Sequence, residues 1–69
     1  MMKLKIGTLV TSLVEVELLD GSVINIGDVG IVIDNELVAE EHFFTNFDYT
    51  ILINGSELYV FEDEITPYT

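Results

Sequence analysis

The chain has no cysteine, no tryptophan, one proline, one histidine and two basic residues. Each shortage removes a class of chemistry. Without cysteine there is no disulfide, no thiol nucleophile and no thiolate zinc site. A single histidine, His42, would leave zinc to a carboxylate-heavy ligand set, an uncommon arrangement, so no metal is expected. Lys3 and Lys5 are too few to neutralise a run of phosphates, so direct nucleic-acid binding is not expected. Long apolar runs are also missing, and nothing approaches the ~20 residues that span a membrane. Met1-Met2-Lys3-Leu4-Lys5-Ile6 carries charge but no apolar run follows it, so an export signal is not expected and a cytoplasmic setting is.

What is present is an unusual pair of features. Thirteen acidic residues give a formal charge of −11, yet 49% of the chain is hydrophobic. Acidic disordered chains are poor in aromatic and β-branched residues. This one is rich in Ile, Val, Leu, Phe and Tyr, so it should fold. Its 69 residues make a single domain, 1–69, with no room for a second core. A chain of this size hides only about 60% of the surface its unfolded form exposes. The apolar content exceeds what such an interior can hide, which points to a buried interface.

Helical periodicity is weak and strand signals are short and strong. Ile6-Gly7 reads as an opening turn into a first strand through Thr8-Leu9-Val10. Residues 13–19 alternate, with Val14, Val16 and Leu18 inward and Glu15 and Glu17 in water. Asp20-Gly21 signals a two-residue hairpin. The return arm over 22–26 sets Val23 and Asn25 opposite Ile24 and Ile26. Gly27-Asp28-Val29-Gly30 reads as a sharp corner, where glycine permits positive φ or a bulge. Ile31-Val32-Ile33 then reads as a central strand buried on both faces.

Residues 36–48 are the least regular, read as a helical turn or a loop packing aromatics. Their length is near the limit for an unstructured connection, so local order or a partner contact is expected. Residues 49–53, Asn54-Gly55 and 56–61 form the clearest unit, a type I′ hairpin. Glu62-Asp63-Glu64-Ile65 reads as one helical or 3₁₀ turn, and Pro67 marks a final edge strand. The expected fold is all-β, a small partly open barrel.

The order Ile6-Gly7-Thr8-Leu9-Val10, then Ile26-Gly27-Asp28-Val29-Gly30-Ile31-Val32-Ile33, then Tyr49-Thr50-Ile51-Leu52-Ile53-Asn54-Gly55, then Leu58-Tyr59-Val60-Phe61 and Glu62-Asp63-Glu64-Ile65 carries a resemblance. It resembles the small SH3-like barrel proteins of tailed bacteriophages and their marine relatives. Thr8 stands where that pattern has an acidic residue, and 36–48 is a long insertion. The resemblance implies a five-stranded SH3-like partly open barrel with a short 3₁₀ turn before the last strand. It also implies a phage accessory or interaction protein, and so the host cell cytoplasm.

Candidate sites each have a plainer reading. Glu40, Glu41 and His42 could form a metal or acid–base cluster, but a solvated histidine beside carboxylates accounts for them. Glu62, Asp63 and Glu64 could hold calcium, but their spacing departs from the D-x-D-x-D-G loop. Ser12, Ser22 and Ser56 have only His42 as a base, and no G-x-S-x-G is present. Gly27-Asp28-Val29-Gly30 lacks the lysine and following helix of a phosphate loop. No catalytic, cofactor-binding or metal residue is therefore assigned, and the chain is not expected to be an enzyme.

The aromatics remain. Both arms of the 49–61 hairpin are apolar on both faces, which one small barrel cannot absorb. Phe43, Phe44, Phe47, Tyr49, Tyr59 and Phe61 are the expected interface residues, and a homo-oligomer is the expected partner arrangement. A second possibility follows from the charge. An acidic chain can mimic nucleic acid and occupy the groove of a basic host protein. The simpler role of the charge is to keep an apolar domain in solution.

Overall fold

A computed structural model describes residues 3–36, 38–39 and 46–68. The strands are β1 (Leu9–Ser12), β2 (Val16–Glu17), β3 (Val23–Ile24), β4 (Val29–Asp34), β5 (Val38–Ala39), β6 (Asn46–Phe47), β7 (Tyr49–Ile53), β8 (Ser56–Val60) and β9 (Ile65–Pro67). A 3₁₀ turn, Glu62–Glu64, precedes β9. The chain is all-β among the described residues. Five strands form one antiparallel sheet in the order β8-β7-β4-β1-β9. Strands β2 and β3 form a separate hairpin, and β5 and β6 pair as a second two-stranded sheet. The large sheet keeps two edges, β8 and β9, and is not a closed barrel.

Period-2 alternation sorts the sheet into two faces. Val10, Val32, Ile51, Ile53 and Val60 point inward, and Ile65 of β9 joins them. The β2–β3 hairpin closes this face with Ile24, while Leu4, Val16 and Leu18 pack against the core. Glu15 and Glu17 are exposed, as the alternation required.

The strongest turn signal behaves as read. Asn54 and Gly55 have φ of 51° and 79°, the two positive values of a type I′ turn, between the paired Ile53 and Ser56. The opening turn at Gly7, φ 95°, and the 3₁₀ turn at Glu62–Glu64 also stand where they are read, but the Asp20-Gly21 turn differs. The loop at Asp20-Gly21 holds three residues, 19–21. Gly21 N–H donates to Leu18 O at 3.0 Å and Leu18 N–H to Ser22 O at 2.8 Å. Gly21 at φ 88° makes this a turn plus bulge instead of a two-residue hairpin. Of residues 13–19 only Val16 and Glu17 pair as strand, because the Ser12 hydroxyl holds the backbone of Val14 in a tight turn. Ile26 is exposed in the turn before β4 and does not share the burial of Ile24.

Gly27, at φ 96°, turns the chain before β4 as expected, but Gly30 is not part of that corner. It lies within β4 and packs against β7. A Cβ there would sit 2.8 Å from Leu52 O and 2.9 Å from Ile53 Cβ. Close approach of two strands is what excludes a side chain. The strand that follows is central, but only Val32 is fully buried; Ile31 and Ile33 are half-buried. In 36–48 the described backbone forms a short ladder, Val38 opposite Phe47 and Ala39 opposite Asn46, and the helical turn or loop read over 37–44 otherwise lies outside the described residues.

Candidate interaction surface

The inward side chains of β1, β4 and β7 dictate what the other face carries. Leu9 lies opposite Ile31, Ile31 opposite Leu52, and Leu52 opposite Glu57. This row crosses four neighbouring strands on the outer face. Leu9 is 47% exposed and Leu52 41%. Three apolar side chains thus lie side by side over ~10 Å, two strand spacings, and an acid ends the row.

Next to this row the pairing of β4 with β7 slips. Val32 pairs with Ile51, but Asp34 pairs with Thr50, so Ile33 is an extra residue on β4. Such a bulge re-aims side chains. Ile33 and Asp34 both line a hollow of about 310 Å³ with Thr50, Glu57 and Tyr59. Thr50 is 95% buried (5% exposed), and its hydroxyl makes no hydrogen bond with the described residues. Tyr59 stacks on Phe47 at 5.7 Å, and Phe47 meets Phe61 at 4.9 Å. Tyr59 still leaves 42% of its surface exposed.

The expected interface residues therefore separate. Phe47, Tyr59 and Phe61 come together as one aromatic cluster. Tyr49 is core, 3% exposed, and its hydroxyl accepts from Leu4 N–H at 3.0 Å. Its ring also carries the Lys3 ammonium 5.6 Å from its centroid. Tyr49 is thus withdrawn from any surface. Phe43 and Phe44 lie outside the described residues, as do Glu40, Glu41 and His42.

Many of the acids have local tasks. Asp20 accepts from Ser22, Asp28 from Asn25 and Asn54, Asp34 from Glu36, Asp48 from Glu62, and Glu64 from Phe61. These five carboxylates hold turns by capping backbone N–H groups. Hydrogen bonds from the Ser22 hydroxyl and N–H keep the Asp20 carboxyl below its ordinary value. The Asn25 N–H, then the Asn54 amide, does the same for Asp28. Glu64 is committed to Phe61 at 2.8 Å. No group of three or more possible ligands is placed to hold a metal among the described residues. Ser12 is spent on Val14, and Ser22 donates to Asp20 at 2.6 Å.

Sequence reasoning missed the hollow. Its maker, the bulge after Val32, falls in a run of β-branched residues with no glycine or proline to announce it. No helix among the described residues is long and apolar enough to cross a membrane. No protein-family model, no curated protein and no solved structure matches the chain.

Proposed function

We propose that this chain is a non-enzymatic accessory protein of phage type, an SH3-like partly open barrel that serves as an interaction module and self-associates. The observation that carries the self-association is the Leu9–Ile31–Leu52 row, apolar and partly exposed across adjacent strands. Side by side, such residues form a patch, and patches mark contacts. A two-fold dimer would bring the same row of each copy together. The barrel reading is supported by the strand order, in which β1, β4, β7 and β8 follow one another and β9 returns to β1 after a 3₁₀ turn. The phage setting rests on the sequence resemblance.

The acidic, nucleic-acid-mimicking alternative asks for carboxylates held out towards a partner. Asp34 aside, four of the thirteen, Asp20, Asp28, Asp48 and Glu64, are instead used by turns, which favours the module. Light scattering across a salt series separates the two readings. Copies that each carry −11 repel, so screening should strengthen apolar self-association. A mimic should instead remain monomeric at every salt concentration and hold a basic nucleic-acid-binding protein only at low salt.

A further inference from the structure

The hollow at the β8 side of the outer face has a composition that the self-association row lacks. One wall is the partly exposed Tyr59 ring. Asp34 and Glu57 stand at opposite sides, with β7 between them. Their Cα positions are two strands and two residues apart, ~12 Å from strand spacing and rise. On the floor, Thr50 is 95% buried (5% exposed) and offers a hydroxyl with no hydrogen bond to the described residues. Ile33 supplies an apolar side.

We propose that this hollow docks an arginine side chain from a basic segment of another protein. A guanidinium is planar and weakly hydrated. It stacks on an aromatic face and carries donors in a rigid fork suited to carboxylates. In the hollow it would lie along Tyr59, donate to Asp34 and Glu57, and give one N–H to the Thr50 hydroxyl. A lysine would reach the acids as a point charge but would lose the stacking and the fork. The surrounding charge of −11 draws such a segment in at low salt. Lys3 is bound to Asn35 O at 2.6 Å and lies over Tyr49, and only Lys5 remains as a basic residue. The inference rests on the outer face being an interaction surface, and adds a second class of partner to it.

The test uses the full chain and the peptide acetyl-Gly-Arg-Gly-Arg-Gly-amide, with lysine and citrulline versions as controls. Citrulline keeps the shape of arginine without its charge. Amide NMR shifts are followed at low salt in the wild type, Asp34→Asn/Glu57→Gln and Glu15→Gln/Glu17→Gln. The two double variants remove equal charge. Asn at position 34 still offers an oxygen to Glu36 N–H, so the turn there is kept. Expected are shifts concentrated at Ile33, Asp34, Thr50, Glu57 and Tyr59, with arginine binding more tightly than lysine. The Asp34/Glu57 variant should bind about tenfold more weakly, as the loss of charge-assisted hydrogen bonds implies, and the Glu15/Glu17 variant about as the wild type. Shifts scattered over the acidic surface, or equal weakening in both variants, would overturn the proposal. Self-association is scored separately, by sedimentation of a Leu52 variant, so either reading can fail alone.

Discussion

The Asp28 carboxylate reaches 26 residues along the chain to accept a hydrogen bond from the Asn54 side-chain amide, Nδ2 to Oδ2 at 2.9 Å. The same oxygen accepts the Asn25 N–H at 2.9 Å. One acid thus closes the turn before β4 and ties it to the turn between β7 and β8. Strands β4 and β7 are neighbours, and Gly30 lies opposite Ile53. The Asp28–Asn54 bond therefore fastens that end of the sheet.

Replacing either residue should loosen both turns. Asn54→Gly keeps the positive φ available and removes only the donor. Asp28→Ala removes the acceptor of both bonds. Each variant should melt below the wild type, Asp28→Ala further. Together they should lower the melting temperature by less than the sum of the single effects, because they share one bond. Strict additivity in thermal melts would deny the contact a role.

Asp20 and Asp28 also set an acid dependence. Both carboxyls titrate below their ordinary value in the fold. A depressed folded-state value means that the unfolded chain takes up protons first. The stability these groups supply is present above their unfolded value, near pH 4, and is lost as pH falls through the lower folded value. Denaturant melts at pH 7 and pH 3 should show Asp28→Asn losing less stability on acidification than the wild type. An equal or larger loss in the variant would contradict the assignment.

Adjacent residues of β7 should respond in opposite ways. Ile51 is fully buried in the core, and Leu52 is on the outer face. Ile51→Ala should cost about 2–5 kcal/mol, as removal of a packed core side chain does. Leu52→Ala in the monomer should fall within about 0.5 kcal/mol of the wild type. Urea unfolding at low protein concentration checks both, and similar losses would mean that the two faces are wrongly assigned.

Gly30 should tolerate no side chain, for a reason other than backbone angle. In Gly30→Ala the new methyl meets Leu52 O and Ile53 Cβ, both backbone-fixed positions on β7. The loss should be about 1–3 kcal/mol, the range for overpacking. Urea melts showing no loss would mean that β4 and β7 do not approach so closely.

How much was legible in the sequence follows from where the information lies. Asn54-Gly55 was legible because both turn positions need positive φ and both residues permit it. Glu62-Asp63-Glu64 and Pro67 likewise announced a 3₁₀ turn and an edge strand through local chemistry. The location of the Asp20-Gly21 turn was legible but its length was not, since that depends on Leu18 pairing with Ser22. Gly30 was misread because its constraint comes from Ile53, 23 positions further along. The same holds for Tyr49, whose partner at its hydroxyl is Leu4. The hollow was invisible because a slip in register between β4 and β7 creates it, and register belongs to two strands at once.

The central claim is that the outer row of Leu9, Ile31 and Leu52 joins copies of this chain. Sedimentation equilibrium of the full chain at tens to hundreds of micromolar, in moderate salt, tests it most directly when run beside Leu52→Lys. The wild type should sediment as a reversible dimer or larger assembly, and Leu52→Lys as a folded monomer of 7.7 kDa with unchanged circular dichroism. A wild type that stays monomeric throughout, or a Leu52→Lys variant that associates as strongly, would contradict it.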